Sequence, residues 1–164
     1  MKKKDIILIV GVLLIVLLAT FAIGGTEAQK IELPVLLSGE DSGLLKIAYS
    51  DYVTKIENNE NFIIIIERTG CSYCEMYMPI VEESANELAI PVYYIDTADL
   101  TSDELNSLEN SNNYLRREKW GTPTTLLMSG ATVLADIGGY VEKDSFVDFI
   151  EKNIIIEDKT SVEE

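Results

Sequence analysis

The apolar positions of the chain fall into three patterns. From Ile6 to Ile23 the sequence is almost wholly apolar, with no charge and one Thr. Further on, "FIIII" at Phe62–Ile66 and "VYYID" at Val92–Asp96 are short runs without alternation, which predicts strands covered on both faces. Before and between these runs, apolar residues recur at helical spacing. "DYVTKIENN" predicts a helix with Tyr52, Val53 and Ile56 on one side, capped by Ser50 or Asp51. A second helix is predicted from near Cys71 to about Leu88, with a kink at Pro79.

"LLKIAY", from Leu44, has the length of an opening strand. "TSDELNSLENSNNYLRREKW" holds one or two helical segments, each with a capping residue at its start. "PTTLLMSGATVLADIGG" predicts a hairpin around Ser129-Gly130. "KDSFVDFIEKN" predicts a closing amphipathic helix with Phe146, Phe149 and Ile150 inward. The order β-α-β-α-β-α-β-β-α predicts an α/β domain over residues 44–153, with a central mixed sheet flanked by helices. "GGTEAQK" reads as a spacer and "IELPVLL" as a short strand or extended arm, Pro34 arguing against a central strand. Residues 24–43 thus form a linker, and residues 154–164 a charged tail.

The eighteen residues 6–23 would span about 27 Å as a helix, close to the hydrocarbon thickness of a bilayer. Lys2, Lys3 and Lys4 precede them and predict a cytoplasmic N-terminus at residues 1–5. The run exceeds the roughly 7–15 apolar residues of a cleaved signal peptide, so it reads as a retained single-pass transmembrane anchor. Cleavage at "AIG" or "TEA" is the alternative. No Cys stands directly after the run, which excludes a lipoprotein anchor. On either reading the rest of the chain is extracytoplasmic.

Charge narrows the function classes. The formal net charge is −15, and setting aside Lys2, Lys3, Lys4 and Asp5 leaves about −17 on the remainder. Phosphate binding calls for a basic surface, so nucleic acid is excluded as a partner. The chain has no His, which removes Ser-His, Cys-His and His-metal chemistry together.

Cys71 and Cys74 are the only cysteines, within "ERTGCSYCEMYMP". A structural zinc site takes four ligands, usually Cys or His, and two cysteines fall short of that; no metal or cofactor is expected. Two small residues packed inertly on one helix face is the bland alternative. In an oxidising compartment, however, thiols at this spacing readily form a disulfide. At the first turn of a helix, free N–H groups and the dipole stabilise a thiolate. Cys71 follows a strand and a Thr-Gly turn, which makes it the candidate nucleophile and Cys74, one turn on, the candidate resolving thiol.

The stretch from Lys119 to Asn153 resembles the C-terminal part of thioredoxin-family domains, where a Thr-Pro or Ile-Pro dipeptide precedes the hairpin. Three further features strengthen the resemblance: Pro79, five residues after Cys74; Gly138-Gly139 after the hairpin; and the strand-helix-strand pattern of Leu44–Ile66. The resemblance covers about Leu44–Asn153. It implies a thioredoxin-like fold, a cis bond at Thr122-Pro123, and packing of that dipeptide against the cysteines. It further implies substrate contacts from Thr122, Pro123, Ser72, Tyr73, Trp120 and Gly139. Within that family the chain resembles exported or anchored thioredoxin-like proteins of Gram-positive bacteria, including bacteriocin transport accessory-type proteins.

Two departures bear on chemistry. Reductant thioredoxins bury an Asp six residues before the first Cys, and here that position is Ile65. Between the cysteines stand Ser72-Tyr73, with no His to stabilise a thiolate, and Glu67 and Glu75 would oppose one. Cys71 is therefore expected to be moderately acidic, and Glu67, acting through a water, is the nearest candidate base for Cys74. The expected function is membrane-anchored thiol–disulfide exchange on cysteine-containing exported proteins, or with a membrane electron donor. The alternative is a binding or accessory module for an exported peptide, with no essential redox step.

Overall fold

The computed structural model describes residues 33–38, 42–117 and 119–158. The expected transmembrane helix at 6–23 lies outside the described residues. Among those described, no helix is long and apolar enough to cross a membrane.

Among the described residues, seven strands and four helices follow one another: β1 (Val35–Ser38), β2 (Gly43–Lys46), α1 (Tyr49–Glu57), β3 (Asn61–Glu67), α2 (Ser72–Glu87), β4 (Pro91–Asp96), α3 (Ser102–Glu109), β5 (Thr124–Ser129), β6 (Thr132–Gly138), α4 (Lys143–Asn153) and β7 (Ile155–Asp158). Five strands form a mixed sheet in the order β2-β4-β3-β5-β6. β2, β4 and β3 run parallel, while β5 is antiparallel to β3 and to β6.

β3 is central, and its uninterrupted apolar run serves two cores at once. Ile63 and Ile65 face one side, where they join Tyr77, Val81 and Ala85 of α2 and Phe146 and Ile150 of α4. Phe62, Ile64 and Ile66 face the other, with Tyr52 of α1 and Leu108 of α3. Period-two alternation with both faces occupied is what an unbroken β-branched strand requires. It also fixes α2, and the cysteines at its start, against one face of the sheet.

Several boundaries differ from the sequence reading. Ala48, not Ser50 or Asp51, is the N-cap of α1; Asp51 sits three residues in and accepts the Ala48 N–H at 3.1 Å. The hairpin turn falls at Gly130-Ala131 rather than Ser129-Gly130, and a β-bulge at Leu127/Met128 shifts the register by one more residue. Pro79 lies inside α2 on its exposed side. Of the two helical segments allowed after Thr101, one α-helix forms, closed by a Thr101/Glu104 capping box, and turns follow it.

The linker and the tail each contribute a strand. β1 and β7 pair in parallel, Val35 opposite Ile155 through Ser38 opposite Asp158, as a separate two-stranded sheet. Pro34 stands just before β1 and accepts the Ile155 N–H through its carbonyl at 3.0 Å, so its missing donor costs the ladder nothing. Leu36 and Ile154 carry this pair into the core beside α4. The folded unit is thus wider at both ends than residues 44–153.

Candidate redox site

β3 ends at Glu67, and the turn Arg68–Gly70 delivers the chain to the start of α2. Gly70 takes φ +80°, a conformation that suits a residue without Cβ. Asp96, at the end of β4, holds this turn. Its carboxylate accepts the Thr69 N–H at 3.0 Å, the Thr69 hydroxyl, and the Ala98 N–H at 2.9 Å. Burial opposes the charge on Asp96, but the Thr69 hydroxyl and the two N–H groups outweigh it and lower the carboxyl below its ordinary range. Asp96 closes "VYYID", read above only as a strand; a polar residue ending a buried strand was the available signal.

Cys71 is the N-cap of α2. Its sulfur accepts the Cys74 N–H at 3.3 Å, and its own N–H donates to the Arg68 carbonyl at 3.0 Å. It is half-buried, while Cys74, one turn on, is 1% exposed. Both are free thiols. Burial works against a Cys71 thiolate, but hydrogen bonds from the Cys74 thiol, the Thr122 side chain and the N–H groups of Cys74 and Tyr73 outweigh it, and the thiol is more acidic than usual. Cys74 moves the other way. Burial, then the Cys71 sulfur, pushes it up to about 11. One helix start thus separates an acidic outer thiol from a reluctant inner one. Among the described residues, no group of three or more potential metal ligands forms.

The Thr122-Pro123 bond is cis. The Cys71 thiol donates to the Thr122 carbonyl at 3.4 Å, so the hairpin entry and the helix start meet at the sulfur. Pro123 is buried, and its carbonyl accepts the Gly139 N–H at 2.8 Å. Gly139, at φ +87°, therefore fixes the dipeptide from behind. Ser72 and Tyr73 are exposed beside the sulfur, Tyr73 at 64%, and Met76 extends that apolar rim at 54%. Trp120 is half-buried; it packs on the core that holds Tyr52 and lines a pocket with Gly121 and Thr122. The turn and helix start at 68–76, the segment 120–123 and Gly139 thus come together at this end of the sheet.

Ile65 is fully buried against α2 and opposite Thr125 on β5. The polar groups at that depth are neutral: the Tyr77 and Thr125 hydroxyls, 2.9 Å apart. Three carboxylates share a cavity with Cys74, and of these Glu67 is the half-buried one, Glu75 and Glu82 being exposed. Glu67 and Cys74 line a hollow of about 420 Å³ with Leu44, Met78, Glu75, Glu82 and Tyr94. Burial, then the charge of Asp96, raises the Glu67 carboxyl above its ordinary value.

No protein-family model matches the chain. Solved structures do. A thioredoxin from Nicotiana alata is 20% identical at a TM-score of 0.51, covering 71% of this chain and 96% of its own. A mutant thioredoxin from Halobacterium salinarum is 23% identical at 0.52, covering 68% and 90%. One from Aeropyrum pernix is 16% identical at 0.52, covering 70% and 94%. At these identities the likeness establishes the fold, which is thioredoxin-like with a central mixed sheet and flanking helices.

Proposed function

We propose that the protein is a thiol–disulfide oxidoreductase. One observation carries the reading: Cys71, an N-cap thiol made acidic by donors from its own helix, lies against the Thr122 carbonyl with Cys74 buried one turn behind it. The Cys71 thiolate attacks one sulfur of a substrate disulfide. That S–S bond breaks, a Cys71–substrate disulfide forms, and the first substrate sulfur leaves as a thiolate that takes a proton. Cys74 then loses its proton and attacks the Cys71 sulfur, releasing the second substrate thiol. Two electrons and two protons have passed to the substrate, and a Cys71–Cys74 disulfide remains. The reverse sequence oxidises a substrate dithiol.

Because Cys74 is held near 11, its attack at neutral pH needs a proton acceptor. Glu67, in the same cavity and with a raised carboxyl, fills that role in this reading; a carboxyl closer to the operating pH is the better acceptor. The Thr122 backbone and the Tyr73–Met76 rim hold an extended substrate segment across the sulfur. No cofactor beyond the dithiol is needed.

The proposal extends to place. Residues 6–23 anchor the domain as a single span with the redox site extracytoplasmic, in the manner of the anchored Gram-positive accessory-type proteins that the sequence resembles. Its partners there are cysteine-containing exported proteins, with a membrane electron donor restoring the dithiol. A second reading, peptide binding without redox, draws on the exposed Tyr73 and Met76.

Cys71→Ser should abolish reduction of insulin disulfides, and Cys74→Ser should accumulate mixed disulfides with substrate. Equal reductase activity in Cys71→Ser would overturn the enzyme reading. Full rescue of a deletion strain by the double Cys→Ser variant would favour the binding module.

A further inference from the structure

All three arginines of the chain, Arg68, Arg116 and Arg117, line one pocket. They come from distant places, Arg68 from the turn before Cys71 and the other two from the turns after α3. The pocket holds about 740 Å³ and includes Trp120 and Thr122 in its wall. It therefore abuts the nucleophile, since the Thr122 carbonyl accepts from the Cys71 thiol and the Arg68 carbonyl accepts the Cys71 N–H.

The three guanidinium groups keep their charge available. Every salt bridge among the described residues uses a lysine. Arg116 donates to neutral partners, the Asn110 carbonyl at 3.1 and 2.8 Å and the Asn113 amide oxygen at 3.5 Å. Arg117 stacks over the Tyr114 ring at 5.0 Å. Among the described residues Glu109 is the one carboxylate in the pocket wall, against three arginines. All three arginines are exposed. Elsewhere the chain is strongly acidic, and an acidic partner would be repelled.

We infer that this pocket docks an acidic segment of the polypeptide substrate, its Asp or Glu carboxylates meeting the arginines beside the cysteine that Cys71 attacks. The inference rests on the proposed redox reading and adds substrate selection to it. Arginine suits the task because its planar fork binds carboxylates in pairs, and charge complementarity of this kind chiefly sets selectivity and encounter rate.

The test uses the full-length protein and two peptides with the same internal disulfide, one flanked by Asp and Glu, the other by Asn and Gln. The acidic peptide should show a kcat/KM about tenfold higher at low salt, the ratio falling toward one as salt screens the pocket. In R68Q/R116Q/R117Q the ratio should be close to one at all salt concentrations. A wild-type ratio of one, or a preference that survives the triple substitution, would overturn the inference. A cysteine-free acidic peptide separates docking from chemistry. Trp120, the sole tryptophan, should report its saturable binding even in Cys71→Ser, and the absence of any shift overturns the docking site. If neither disulfide peptide is reduced, the redox reading fails instead.

Discussion

Glu67 and Asp96 are register partners at the ends of β3 and β4, and their carboxyls are displaced in opposite directions. Asp96 is satisfied by Thr69 and Ala98 and stays ionised. Glu67, partly buried beside that fixed charge, is held toward its neutral form. Two acids in one place acquire two characters because the donors of Thr69 and Ala98 outweigh burial at Asp96, whereas burial and the Asp96 charge outweigh Lys46 and the Arg68 N–H at Glu67.

The pair predicts opposite pH signatures in stability. Asp96, lowered in the folded state, contributes stability that is present above its ordinary value and lost as pH falls through the folded value. Asp96→Asn should therefore cost about 1–3 kcal/mol at neutral pH, a penalty that fades in acid. Glu67, raised in the folded state, contributes stability below its ordinary value that disappears as pH rises through the folded value. Glu67→Gln should accordingly be more stable than wild type at neutral pH and indistinguishable in acid. Urea unfolding of both variants between about pH 3 and 7 checks the signs. If Glu67 is the proton acceptor, the stabilised variant should also resolve mixed disulfides more slowly near neutrality.

The two thiols should alkylate in sequence. Cys71 should react with iodoacetamide with a midpoint below that of an ordinary free thiol, while Cys74 stays protected until far higher pH. Cys74→Ala removes the thiol that does most to favour the Cys71 thiolate, so the Cys71 midpoint should rise. Mass spectrometry of pulsed samples resolves both sites. A midpoint unchanged by Cys74→Ala would deny the coupling.

Tyr77 and Thr125 offer a cleaner energetic test, since both hydroxyls are buried and satisfied by each other. Tyr77→Phe should strand the Thr125 hydroxyl and cost about 1–3 kcal/mol, whereas adding Thr125→Val should return part of that loss. A double-mutant cycle showing simple additivity would mean that the two groups do not depend on each other.

Two glycines with positive φ should differ in their tolerance of Ala. At Gly130, φ +52°, an added Cβ would meet Asn59 Oδ1 at 2.8 Å and Asn59 Cα at 3.3 Å. At Gly139, φ +87°, nothing lies within 4 Å. Gly130→Ala should therefore be the costlier, by about 1 kcal/mol or more beyond the backbone penalty both share. Thermal unfolding of the two variants decides it.

The sequence made legible whatever was local or periodic. "FIIII" announced a strand with two covered faces because no polar residue interrupts it, and Cys71 could be put at a helix start from the Thr-Gly turn before it. Thr122 and Pro123 were reachable through family resemblance, since their meaning lies in a contact across fifty residues. The arginine pocket was not legible, because Arg68 is nearly fifty residues from Arg116 and no periodicity links them. Asp96 escaped notice because its partners, Thr69 and Ala98, are fixed by the ends of two neighbouring strands. The β1–β7 pair was obscured by Pro34 and by the charges that follow Ile156.

That pair has a mechanical consequence. β1 and β7 run parallel, so tension applied between residue 33 and residue 158 acts along the strands, from opposite ends of the ladder. Its hydrogen bonds are then loaded together in shear rather than opened one at a time. For a domain pulled from its N-terminal side, the four-residue clasp is the first element to resist.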